Sequence, residues 1–463
     1  MKTICWIRRD LRLHDHAALS AALKEGETTV VFVYDLNILE KLSEKSDRRI
    51  TFIMQSLKEM QKTISEKGSD LVILYGKPEE EIPKYAKKLG AWGVFCNRDY
   101  EPYAKKRDKE VSAKLAEEGI EFFQYKDSVV FEAEQIQTGS GGVYKVFTPY
   151  KNNWLKHFEA QEKELPEFKC DLKKLDQSHK KNSFDEASLY KKIGFKECEP
   201  FLEGGTKAAQ KQLKEFLKIV EDYDHDRDYP ALHGTSLLSV YIRHGNISIR
   251  EMVRAVSGLR SKGAKTWLSE LIWREFYQML LDSYPEIEKD PFKPEYGKIK
   301  WVGKKEDFKA WCKGETGFPI VDAAMRCLNE TGRMHNRLRM ITASFLCKIL
   351  LFNWKDGEMY FAEKLLDYDL AANNGGWQWS SSSGADAQPY FRIFNPWSQS
   401  KKFDEKGEFI KEWCPELKEV DAKALHEPII GHDSYPEPIV DYKKNRERCL
   451  VMYSVVKDKK ARD

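Results

Sequence analysis

The chain has 463 residues, 41% hydrophobic and 33% charged, and 77 Lys+Arg against 74 Asp+Glu leave a formal charge of only +3. At about 150 residues per domain that length predicts roughly three domains or two large ones. A mean hydropathy of −0.62, with no apolar run approaching about 18 residues, excludes a membrane-spanning helix. So balanced a charge names no partner, and a nucleic-acid surface has to be argued from a local basic patch.

Met1 leads straight into Thr3–Ile7, which reads as a strand and lacks the apolar core of a signal peptide. The nine cysteines contain no C-x-x-C pair. They predict neither a zinc ribbon nor a disulfide framework, no metal, and a reducing, cytoplasmic setting. Strand-like runs follow at Thr29–Tyr34, Leu71–Tyr75, Val94–Asn97 and Glu121–Tyr125, alternating with helix-like stretches such as Arg48–Lys67 and Tyr103–Glu118. Strands spaced by helices read as βαβ units, so residues 1–133 are expected to form an α/β domain on a doubly wound, parallel, five-stranded sheet. No G-x-G-x-x-G follows the first strand, and Gly139-Ser140-Gly141-Gly142 precedes strand-like residues and reads as a turn.

From 134 to 204 the periodicity fails and the charge is mixed, which predicts a long solvated connector. After Gly204-Gly205, helix-period apolar positions recur at Lys207–Val220, Ile249–Leu259, Lys265–Asp282, Phe318–Asn329 and Met334–Leu351. Residues 205–463 therefore read as a larger, all-α domain.

Four segments carry candidate chemistry. Asp367–Pro396 concentrates Asn, Gly, Trp and four consecutive Ser. It is a poor helix and a poor strand, read either as backbone bent around a ligand or as a polar loop capped by aromatics. In MHNRLRM, Asn336 and Met340 share a face at i, i+4, and Arg326, Arg333, Arg337 and Arg339 are offset only by Glu330. That is the basic patch hidden by the net charge, or a solvated face. In WLSELIWREFY, Glu270 and Arg274 sit at i, i+4, while Trp267, Leu271 and Trp273 look core-like. Gly234-Thr235-Ser236-Leu237-Leu238-Ser239 reads as a phosphate-binding turn or as an ordinary helix cap.

Together these segments resemble the photolyase/cryptochrome family, and most closely the class I cyclobutane pyrimidine dimer photolyases. The resemblance runs from WIRRDLRL at Trp6–Leu13 through YKVFTPY at Tyr144–Tyr150 to WLSELIWREFY, FPIVDAAMR, MHNRLRMITASFL and DLAANNGGWQW. It implies a DNA repair flavoenzyme, a lyase holding one FAD in the helical domain. The excited, reduced cofactor would pass an electron to a flipped-out pyrimidine dimer, whose cyclobutane bonds open before the electron returns. The implied FAD contacts are Tyr223, Thr235, Ser236, Leu237, Leu238, Ser239, Trp267, Arg274, Arg339, Asp367, Asp369 and Asn373, the last facing flavin N5. The implied lesion contacts are Glu270, Trp273, Asn336, Met340 and Trp379, with Arg227, Arg337 and Arg392 on the flanking phosphates.

Trp377, Trp354 and Trp301 match the family's electron relay, Trp354 being read as ending the MHNRLRM helix and Trp301 as exposed. UV-damaged DNA is the implied partner, with no membrane, for a monomer in the cytoplasm. A cryptochrome-type light receptor is the alternative, disfavoured by Asn373, Glu270 and Trp379 together. An antenna chromophore (methenyltetrahydrofolate, 8-hydroxy-5-deazaflavin or FMN) stays open: Lys289 suits folate, whereas Tyr103-Ala104 and Glu288 depart from folate-binding relatives. Arg333 stands where some relatives carry Trp.

Overall fold

The computed structural model describes residues 1–160, 165–178 and 184–459. The chain divides into two compact units, one of Met1–Val143, Lys151–Lys218 and Ser236–Ser283, the other of Tyr144–Tyr150, Ile219–Thr235 and Tyr284–Asp463.

The first unit is built on β1 (Lys2–Ile7), β2 (Glu27–Asp35), β3 (Leu71–Gly76), β4 (Ala91–Asn97) and β5 (Glu121–Tyr125), a sheet of order β3-β2-β1-β4-β5 in which every pair is parallel. All five strands fall where the sequence places them, lengthened by one to three residues at some ends. The period-2 geometry of a strand decides the packing. Cys5, Ile7, Val30 and Phe32 join one cluster with Leu19, Leu57 and Ile64, while Ile4, Trp6, Val31 and Val33 join the other with Ile82, Val111 and Leu115. Both faces are thus covered, as a parallel sheet requires. The strand order reverses beside β1, and there the carboxyl ends carry charge. The Tyr103 hydroxyl donates to Asp35 Oδ2 at 2.5 Å, and Arg8 bonds both oxygens of Asp108.

The aperiodic stretch 134–204 contains more structure than a solvated connector would. Helices form at α1 (Phe147–Ala160) and Glu186–Ile193. In α1, Phe147, Tyr150, Trp154 and Phe158 recur at helical spacing, and Tyr150 and Trp154 are each only 1% exposed. Mixed charge on the outer face hides that stripe from a reading by composition.

Farther along the first unit come α2 (Thr206–Leu217), the short α3 (Ser239–His244), α4 (Ile249–Ser257) and the long α5 (Lys262–Ser283). The second unit holds α6 (Lys305–Lys313), α7 (Pro319–Thr331), α8 (Asn336–Lys348), α9 (Trp354–Lys364), α10 (Leu370–Ser380), α11 (Pro396–Phe403) and α12 (Tyr442–Tyr453) around a core that includes Trp311, Phe318, Phe345, Leu346 and Trp377. Among the described residues no helix is long and apolar enough to cross a membrane.

Two expectations are corrected here. DLAANNGGWQW is not a loop: α10 runs through it, because the Asp369 carboxylate caps the helix by accepting from Ala372 N at 3.1 Å. Its weak helix formers are held by tertiary bonds instead, Asn374 Nδ2 and Gln378 Nε2 both donating to Ile287 O, at 2.9 and 3.0 Å. Trp354 does not end the MHNRLRM helix. That helix stops at Lys348, and Trp354 opens α9 behind an Asn353 cap.

Candidate active site

In the first unit, α5 is pinned by a residue that the sequence reading passed over. Glu275 is fully buried and accepts from Val130 N at 2.6 Å, Phe131 N at 2.9 Å and Trp154 Nε1 at 2.7 Å. Burial raises its pKa, and the three donors oppose that rise. With α5 fixed in rotation, its neighbouring turns set the candidate side chains. Trp267 packs on Phe216 with centroids 4.9 Å apart and is buried, as its core-like reading expects. Trp273 is half-buried and lies on Tyr277, its centroid 5.5 Å away, and Arg274 donates to Ser128 O at 2.7 Å.

The turn before α3 is held in an uncommon conformation. Leu237 has φ +53, a left-handed geometry that costs a branched side chain roughly 1–2 kcal/mol. Gln212 Nε2 braces it by donating to Ser236 O at 2.9 Å. Leu238 caps α3 without a side-chain bond of its own, and Ser236 Oγ accepts from Leu238 N at 3.4 Å just before the helix. No hydroxyl bond of Thr235 or Ser239 is found among the described residues.

In the second unit, Gly234 lies so close to Asp226 that a Cβ would come within 2.4 Å of the Asp226 Cβ, and Arg227 stacks over Tyr223 at 5.3 Å. The first turn of α8 is the basic patch. His335 caps it, Nδ1 accepting from Arg337 N at 3.1 Å, which leaves the ring proton on Nε2, buried and without a partner among the described residues. Burial, then the nearby Arg333, pushes its pKa down to about 3. Asn336 and Met340 do share a face, Nδ2 and Sδ lying 3.9 Å apart. Arg337 bonds Asp228 at 2.6 Å and lies 4.2 Å over the Phe403 ring. Arg339 reaches both oxygens of Asp367, at 3.0 and 2.8 Å.

Asn373 lies on α10 and is held by α9. Its Nδ2 donates to the main-chain oxygen of Glu358 at 3.1 Å and to Glu358 Oε1 at 2.9 Å. Both amide hydrogens are therefore spent, and Oδ1 is left as an acceptor with no partner among the described residues. Glu358 was missed from sequence. Its signal was faint, one helical turn after Trp354 in α9, and burial raises its pKa. Trp377 is 2% exposed, between Phe361 at 4.9 Å and Trp311 at 6.1 Å. A Cβ on Gly357 would stand 2.2 Å from its ring, so that position must be glycine. Trp354 is buried, Trp379 half-buried and Arg392 exposed. Trp301, expected to be exposed, is half-buried with its ring edge-on to Tyr453 at 6.1 Å. Within the second unit, an oriented neutral acceptor and an Arg–Asp pair are groups of the kind that suit a flavin ring.

Comparison with known proteins shows the family. Residues 3–169 match the DNA photolyase family and residues 267–455 the FAD binding domain of DNA photolyase. A deoxyribodipyrimidine photo-lyase from a Synechococcus species is 39% identical, covering 98% of this chain and 96% of its own. An archaeal photolyase from Sulfolobus tokodaii, solved with two FAD molecules, superposes with a TM-score of 0.83 at 32% identity, covering 98% of this chain and 100% of its own. A Synechocystis cryptochrome superposes at 0.88 but with 26% identity, covering 98% and 99%. The chain belongs to the DNA photolyase family. Backbone likeness does not separate repair enzyme from receptor here; sequence does, toward the photolyases.

Proposed function

We propose that this chain is a deoxyribodipyrimidine photo-lyase that repairs pyrimidine dimers in UV-damaged DNA with light. The observation that carries the reading is Asn373, whose two amide hydrogens are taken by Glu358 so that its carbonyl oxygen is left to accept. A neutral acceptor suits the N5–H of an electron-rich flavin, where a carboxylate would repel it. FAD, when bound, supplies the photoexcited electron donor. Tyr223 and residues 235–239 would hold its phosphates, Arg274 would add a contact, and Arg339, Asp367 and Asp369 would hold the ring side.

A dimerised base pair stacks and pairs weakly, so turning it out of the helix costs less than turning out a normal pair. Trp273 and Trp379 would wall the flipped dimer, Met340 would adapt to it, and Glu270 and Asn336 would bond its base edges. Arg227, Arg337 and Arg392 would grip flanking phosphates, which fixes register without reading sequence. Trp377, Trp354 and Trp301 would relay electrons inward. In this reading residues 1–133 form the antenna domain, 134–204 the connector and 205–463 the repair domain of a cytoplasmic monomer. The test is a defined oligonucleotide carrying one cyclobutane dimer. Purified protein should show flavin absorbance, and dimers should disappear under blue light but not in darkness. Flavin absorbance with dimers untouched by light would make the chain a receptor.

A further inference from the structure

Lys348, on the last turn of α8, is 1% exposed, unusual for a side chain whose charge is costly to bury. Its neighbours in the core are the thiols of Cys347 and Cys449, and no carboxylate forms an ion pair with it among the described residues. Burial brings its pKa down to about 8. Its Nζ makes one hydrogen bond, donating at 3.0 Å to the main-chain oxygen of Arg392. Arg392 belongs to a segment outside any helix, between α10 and α11, and Phe391 beside it is 57% exposed. Apolar side chains would fill the interior around Lys348 better, so packing does not account for a lysine there.

We infer that Lys348 is a positioning residue for DNA binding: it ties the Arg392 backbone to α8, so that one rigid helix sets the spacing between the lesion-side groups at its start and the phosphate contact at its end. Asn336 and Lys348 bound that helix, and at about 1.5 Å per residue it spans roughly 18 Å. The inference rests on the reading of Arg392 as a phosphate contact. A guanidinium on an untethered segment pays ordering entropy each time it binds; a tethered one has paid it on folding.

The experiment compares Lys348→Met, Lys348→Gln and Arg392→Ala in the full chain, on dimer-containing and undamaged duplexes. Methionine keeps the volume and removes both the charge and the donor, so the melting temperature should hold or rise. Affinity for both duplexes should fall on the order of tenfold, with repair per absorbed photon at saturating DNA unchanged. The slope of log affinity against log salt should shrink by about 0.9, one phosphate contact. Glutamine, which keeps a donor, should recover part of the affinity, and Lys348→Met should add nothing once Arg392→Ala is present. If Arg392→Ala binds like wild type, the phosphate reading fails and the inference with it. If Arg392→Ala weakens binding while folded Lys348→Met or Lys348→Gln keeps wild-type affinity and salt slope, the tether alone is overturned. Additive losses in the double variant overturn it as well.

Discussion

In the first unit Arg12, Arg250 and Arg254 close on Asp15 and Asp127; in the second, Arg333, Arg337 and Arg339 gather around His335 at the start of α8. The first group is knotted shut. Arg12 meets Asp127 at 2.6 Å, Arg250 meets Asp15 at 3.0 Å and Asp127 at 2.8 Å, and Arg254 meets Asp15 at 2.8 Å. Burial works against both carboxylates, yet the guanidinium groups outweigh it and hold them below the usual range. In the second group Arg337 and Arg339 each meet a carboxylate while staying part exposed, and the Arg337 Nε and His335 Nε2 have no partner among the described residues. The histidine, not a carboxylate, takes the strain and stays neutral. The same residue type thus serves opposite ends. Charges buried in closed pairs hold a fold together, and charges in part-exposed pairs at a surface are open to an anion from outside.

The largest effect should come from cutting the closed knot. Asp127→Ala leaves Arg12 in the interior without a carboxylate and Arg250 with Asp15 alone, and a broken buried pair costs about 3–5 kcal/mol. Urea unfolding should register that loss, while the protein still folded at low temperature should bind DNA normally. A shift below about 1 kcal/mol would mean that the knot contributes little to stability.

Arg337→Ala should do the reverse. Its partly exposed pair with Asp228 is worth at most about 1 kcal/mol of stability. Binding to damaged and undamaged DNA should weaken alike, with the salt slope reduced by about 0.9. Trp273→Ala is the contrast in kind, losing about 1–3 kcal/mol of stacking on damaged DNA only. Equal losses on both DNAs for Trp273→Ala would remove it from the lesion pocket.

The last effect is a pH slope. The folded chain takes up a proton at His335 only near pH 3, the unfolded chain near 6.5. Between those values the unfolded state binds more protons, so stability falls as pH falls, by up to about 1.4 kcal/mol per unit from this residue. His335→Asn keeps a cap and has nothing to titrate. Its stability should be flatter than wild type between pH 6 and 4, measured by denaturant midpoints, and identical slopes would remove His335 from the account.

The sheet was legible because continuous apolar runs such as Ile4 to Ile7 announce both a strand and two covered faces. The patch on α8 was legible because charge is additive along a helix. What stayed hidden lay in partners far along the chain. Nothing local marks Glu275 as the clamp on Val130 or Lys348 as a buried ammonium group, since their interiors are assembled from remote segments. The α10 helix was misread for the same reason. Its propensities are poor, and the bonds that override them end on Ile287.

The discontinuity of the first unit bears on how the chain is made. The Glu275 carboxylate completes the turn at Val130, 145 residues upstream. At roughly 5–20 residues per second of synthesis, the sheet and its helices wait about 7–30 s for that clamp. Meanwhile Ile219–Thr235, a piece of the other unit, emerges inside the gap. During those seconds Trp154 lacks the acceptor for its indole N–H. A nascent chain stalled before residue 275 should therefore be a better chaperone client than one released just beyond it.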